Sequence, residues 1–190
     1  MSNETSIKID LWHDYSSIIK SHLIREGFDL SKITNDDEII ISYLNLLKRS
    51  VSCTQRKILK SKEFKCPSKF ANSLNNIENL IKNGLDITAY LSNKINELDY
   101  NDEMMNDWGI HHLHLGERGK NGRIKRTGEL LFVKFTHDCA YFIGIYDHSS
   151  WTRKNIIEVV HSNWSDIIKQ HKCENIISLS HEPNENDIKN

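Results

Sequence analysis

"ELLFVKFTHDCAYFIGIYDH", Glu129–His148, holds two apolar runs around a tight link at Thr136–Cys139. The runs ELLFVKF and AYFIGIYDH are rich in aromatic and β-branched side chains and too short for ordinary helices, so both read as strands. So short a link between strands predicts an antiparallel pair. Just upstream, IHHLHL at 110–115 is a further candidate strand. It is tied to the pair by the turn-rich, basic connection GERGKNGRIKRTG at 116–128. Three consecutive strands with short links predict an antiparallel meander.

Outside this block the period changes. Asp14–Glu26 carries Tyr15, Ile18, Ile19 and Leu23 at helical spacing, and Gly27 is a natural stop. Asn35-Asp-Asp-Glu38 resembles a capping box opening an apolar helix through Ile39–Leu47. Pro67 suits a first helical turn. Phe70, Leu74, Ile77, Leu80 and Ile81 then keep helical spacing up to Gly84, and Ile87, Leu91 and Ile95 suggest another short helix. Downstream, Ser149 or Ser150 would cap a helix through IIEVV, and NIISLS near Ile176–Leu179 reads as a last edge strand before a polar tail. The expected class is α+β: N-terminal helices followed by a small antiparallel sheet with a flanking helix. Three regions are expected: 1–66, helical with a basic stretch; 67–107, a helical segment packing on the sheet; and 108–190, β-rich with a polar tail.

With 190 residues, the chain is long enough for one sizeable domain. A net charge of −1 provides no global pull toward nucleic acid, so any such partner must be held by a local patch. No basic-then-apolar leader and no membrane span is legible, so no membrane partner is expected. Cys53, Cys66, Cys139 and Cys173 form no CxxC pair, which fits a reducing cytoplasm. Asn3 and Asn163 match the glycosylation pattern, which carries no weight without a secretory signal.

The chemistry-bearing residues gather in the β half. Alternation puts His112 and His114 on one strand face, with Ile110, and puts His111, Leu113 and Leu115 on the other. Two imidazoles about 6.5–7 Å apart along a strand suit a phosphodiester between two proton-transfer groups. Metal-free RNA cleavage needs a base for the 2′-OH, an acid for the departing 5′-oxygen and a cation for the phosphorane charge. His112, His114 and His148 are the acid–base candidates. Arg126 and Lys134 are the cations, and Tyr146 shares a face with His148. Arg118, Lys120, Arg123 and Lys125, in the connection beside the histidine strand, are the expected RNA contacts. The stretch Lys48–Lys65 is a second basic patch or a solvated charged face.

Rival readings stay open. One imidazole on a strand is commonly a half-buried polar residue with a partner, the reading favoured for His111. His137, His161, His171 and His181 read as surface residues; Trp108, Trp151 and Trp164 read as core or edge anchors. His112 and His114 would bind zinc if His148 or Asp147 supplied a third ligand, but the neighbouring cations oppose it. ADP-ribosyl transfer would rest on Glu129, and GERGKNG is not a Gly-rich phosphate loop. No cofactor or metal is expected.

KILKSKEFKCP, LDYNDEMMNDWGIHHLHLG, RTGELLF, AYFIGIYDH and the final NW together resemble a family of uncharacterised bacterial proteins from cytoplasmic and mobile-element settings. The likeness spans roughly Lys57–Ile168 and implies no established reaction. A weaker likeness, of element order alone, is to ribonuclease toxins of the barnase, colicin and RelE type. The histidine and cation chemistry leads to the expectation of a cytoplasmic, metal-independent endoribonuclease. The resemblance implies a toxin or phage-defence setting, with a cognate inhibitor protein as a further partner. The alternatives are a non-catalytic RNA-binding or antitoxin-like module, and a histidine-ligated metal-dependent hydrolase.

Overall fold

A computed structural model describes residues 9–120, 122–147, 153–173, 178 and 181. The fold is α+β. Its described helices are α1 (Leu11–Arg25), α2 (Asp36–Arg49), α3 (Ala71–Lys82), α4 (Glu103–Trp108) and α5 (Arg153–Trp164). Its strands are β1 (Lys57–Lys60), β2 (Ile110–His114), β3 (Glu129–Phe135) and β4 (Cys139–Asp147), in the order β1-β4-β3-β2.

The three-strand meander forms as its alternation dictates. β2 pairs antiparallel with β3 and β3 with β4, with Thr136–Asp138 as the tight link. The fourth strand corrects the all-antiparallel expectation. β1 lies inside the basic Lys48–Lys65 stretch and pairs parallel with β4, Lys57 opposite Cys139 and Lys60 opposite Phe142, so the sheet is mixed. Four residues with two lysines in a charged run carry no period for a sequence reading to catch. The stretch is therefore not simply a solvated face. Arg49 is buried, and Arg56 donates Nε to Thr136 O at 2.8 Å and Nη1 to Ser52 O at 2.8 Å.

Helix starts follow local chemistry. The Asn35 side chain accepts from Glu38 N at 2.9 Å, while the Glu38 carboxylate accepts from Thr34 N at 2.7 Å. This is a capping box reaching one residue further back than the usual form. The short helix expected through Ile87, Leu91 and Ile95 is instead two 3-10 turns, Thr88–Tyr90 and Asn93–Asn96. Asn163 takes part in hydrogen bonds: its Nδ2 donates to Glu63 and to Val159 O, and its Oδ1 accepts from Lys62 N. The expected serine cap and most of NIISLS lie outside the described residues.

Both faces of the sheet are covered. One packs Leu113, Leu131, Val133 and Phe142 against Leu74, Ile77 and Ile81 of α3. The other packs Ile110, Leu130, Phe132 and Ile143 against Met104 of α4 and Ile156 and Val160 of α5. A third cluster joins Ile19 and Leu23 of α1 to Ile39 and Ile40 of α2. A bulge beside Phe132/Val133 turns Ile143 toward the α5 side. Next to it, Tyr146 folds its ring over Gly144, where a Cβ would stand 2.5 Å from the ring. Gly144→Ala must push the ring aside and is expected to cost about 1–2 kcal/mol in urea unfolding. Because the clash is with that ring, Gly144→Ala made on a Tyr146→Ala background should cost less than it does alone.

Candidate functional site

The register gives the histidine strand its geometry. His112 lies opposite Phe132, His114 opposite Leu130 and Ile110 opposite Lys134, while Leu130 in turn faces Tyr146. Opposed residues share a face, so His112, His114, Lys134 and Tyr146 share one side of the sheet. This is the side that α4 and α5 cover. His114 is 4% exposed and Lys134 is buried; Tyr146 is half-buried, its ring 5.9 Å from Phe132. His148 lies outside the described residues.

Lys134 has a structural task. Its Nζ donates to Trp108 O, the last carbonyl of α4, at 2.6 Å. A cation there also meets the negative end of the helix dipole. Gly109 follows in the left-handed region at φ 63°, and a Cβ on it would stand 3.0 Å from that Nζ. Burial holds the Lys134 ammonium below its ordinary pKa. This ammonium is committed to a helix end, not directed to open solvent.

His112 retains partial exposure and has an acidic neighbour. Its Nδ1 lies 3.7 Å from Asp102 Oδ2, and Asp102 also caps α4 by accepting from Met105 N at 3.1 Å. On the opposite face His111 is buried, its ring edge-on to Phe135 at 5.2 Å. Both His111 ring nitrogens lack a hydrogen-bond partner among the described residues. Burial, aided by His112, Lys134 and Arg56, pushes the His111 pKa down to about 3.

The same corner holds Arg49, which the sequence reading left in a charge run. Its guanidinium donates to Tyr100 O and, at 2.8 Å, to Glu97 O, and it lies 5.5 Å from the Tyr100 ring centroid. Burial lowers its pKa, while Asp102 and Tyr100 oppose the shift. The signal was available: Ile39, Tyr43, Leu46 and Arg49 fall on one helical stripe. Arg49, Asp102, His111 and His112 line a cavity of about 10 Å³, far below the size of a nucleotide.

The basic connection is the accessible counterpart. Arg118, Lys120, Arg123, Lys125 and Arg126 are all exposed. The two described arms of the loop brace each other: Arg118 bridges Ile124, Gly119 N donates to Arg123 O at 2.8 Å, and Lys125 N to Glu117 O at 2.9 Å. Beside it runs an open groove of about 390 Å³, walled by Asn72, Asn76 and Asn79 of α3, by Asn83 at its C-terminal cap and by Arg118.

His137, His161 and His181 are exposed, whereas His171 is half-buried with its ring 5.1 Å from Trp108. Trp108 and Trp164 pack beside the α5-side cluster, and Trp151 lies outside the described residues. Among the described residues, no three His, Cys, Asp or Glu side chains gather to hold a metal ion, and no helix is long and apolar enough to cross a membrane. Compared with protein-family models, curated proteins and solved structures, the chain matches none.

Proposed function

We propose that this chain is an RNA-binding protein whose contact surface is the basic loop carrying Arg118, Lys120, Arg123, Lys125 and Arg126. The observation that carries the reading is five exposed cations on a short, backbone-braced loop with Glu117 as its single acid. Such a surface meets phosphates without regard to base. The groove beside it adds four amide side chains along one helix face, and amides both donate to and accept from base edges.

The test is binding of a labelled single-stranded RNA across a salt series. Neutralising Arg123, Lys125 and Arg126 together to Gln is expected to weaken binding at low salt roughly tenfold or more and to flatten the salt slope. The melting temperature should barely move, since exposed loop positions carry little packing. Unchanged low-salt affinity would remove the loop from the interface.

A second reading, metal-independent endoribonuclease, is favoured by one observation: His112 stands beside a carboxylate, Asp102, at 3.7 Å. The neighbouring cavity is too small for a ribose phosphate, so the binding reading ranks above it. Incubation with bulk RNA in EDTA separates the two. Cleavage lost in His112→Ala would establish the enzyme; binding without cleavage supports the module.

A further inference from the structure

The helix pair α1–α2 leaves apolar side chains in solvent far beyond the scatter expected of a surface. Leu11 is 76% exposed and Ile18 68%, and Trp12, Tyr15, Ile41, Leu44 and Leu47 are each around half exposed. None of these helps to close the third core cluster, which α1 and α2 form with Ile19, Leu23, Ile39 and Ile40.

All but Trp12, which stands at the N-terminal end of the seam between the helices, lie on one side of the pair. Trp12 Nε1 donates to Asp37 at 2.7 Å, His13 meets Asp36 at 2.9 Å, and the His22 ring lies 5.9 Å from Tyr43. The helix starts thus meet each other and the later turns meet each other, so α1 and α2 run in the same sense. At 3.6 residues per turn, the exposed stripe Leu11–Tyr15–Ile18 sits about 110° to one side of the buried stripe of α1. On α2, Ile41–Leu44–Leu47 sits about 110° to the other side of its buried stripe. Opposite displacements on two helices of the same sense bring both stripes to a single face.

We infer that this face is a homodimer interface, closed by a second copy about a two-fold axis perpendicular to the helices. Two arguments select that occupant. The six side chains of the two stripes, with the Trp12 ring at their N-terminal edge beside Asp37, present on the order of 700 Å² per copy, close to what one partner buries in a standard interface, and more than the largest patch of an ordinary monomer. The charges at its ends are also self-complementary. Asp14 and Asp37 flank the stripes at the helix starts, while His22, Arg25 and Lys48 flank them at the helix ends. The two-fold operation lays the acidic end of one copy against the basic end of the other, and two copies related by it make each contact twice. The basic RNA-contact loops lie outside this face, so the interface stands whether or not RNA binds.

The test is sedimentation of the full chain over a concentration series. A monomer–dimer equilibrium is expected, weakened by salt. Ile18→Glu and Leu44→Glu should each weaken self-association about 100-fold or more while leaving the circular dichroism spectrum intact, because both side chains already face solvent. Leu11→Ser, in the first turn, is the second variant should either fail to fold. Arg25→Glu with Lys48→Glu should weaken the dimer as well. A chain that stays monomeric to several hundred micromolar overturns the inference, as does a dimer indifferent to these substitutions. So does a monomer that uses this face to bind anionic phospholipid vesicles.

Discussion

Removing the guanidinium of Arg49 is expected to destabilise the protein by about 2–3 kcal/mol, the range for taking a charged donor away from buried carbonyls. Arg49 is 3% exposed and donates to two backbone carbonyls, that of Tyr100 and that of Glu97, the second of which also accepts from Tyr100 N at 3.1 Å. In Arg49→Met the aliphatic stem is kept. The loss then reports the two hydrogen bonds, the stacking on Tyr100 and the charge beside Asp102, not a cavity. In Arg49→Lys a point charge cannot span both carbonyls, so the variant should fall between wild type and methionine. Urea unfolding gives the sizes. Hydrogen exchange gives the place: Arg49 ties the end of α2 to the 97–102 segment, so protection should fall first in that segment and in α2. A loss below about 1 kcal/mol for the methionine variant would mean that the carbonyls find water as readily as they find Arg49.

Arg49 also shows where a sequence reading stops. It stands in a run of cations, and charge runs are normally solvated; only its place on the Ile39–Tyr43–Leu46 stripe marks it as inward-facing. β3 was legible because ELLFVKF is apolar, β-rich and closed by a four-residue link, and the structure has a strand at Glu129–Phe135. β1 was not, because KILK owes its strand state to a parallel partner some eighty residues away, a contact with no local trace. The histidine strand shows a subtler limit. Alternation assigns His112 and His114 to one face, and the register adds Lys134, but a period of two says only which residues share a side. What covers that side depends on α4 and α5, and their arrival makes it a packed interior. Lys134 illustrates the consequence: a cation that local chemistry offers to a phosphate is taken by the end of a helix. Exposed loop cations are the opposite case. Arg118, Lys120, Arg123, Lys125 and Arg126 stay exposed while Ile124 between them packs into the core, so what the cations offer remains accessible.

Acid should unfold this protein through His111, and the effect should be large. In an unfolded chain the imidazole takes up a proton near its ordinary value of 6.5, whereas in the fold it stays neutral until about pH 3. Between those values the unfolded state binds one more proton than the folded state, so lowering the pH favours unfolding. The contribution is complete above pH 6.5 and is lost at about 1.4 kcal/mol per pH unit on the way down, on the order of 5 kcal/mol in total. Carboxylates titrate over part of the same range, so the measurement is a difference between variants. His111→Phe keeps a flat ring for the edge-on contact with Phe135 and removes two buried nitrogens that have no hydrogen-bond partner among the described residues. At pH 7 it should lie close to wild-type stability, since the ring gives up at most a poorly aligned contact with the Arg49 backbone. At pH 4.5, two units below the free imidazole value, it should be more stable than wild type by about 2–3 kcal/mol. Urea midpoints collected from pH 7 to pH 4 for the two proteins should therefore diverge steadily below pH 6.5. Curves that stay parallel within about 0.5 kcal/mol would show that the folded chain lets His111 take its proton at the ordinary pH, by opening the small cavity around Arg49 and Asp102 to water.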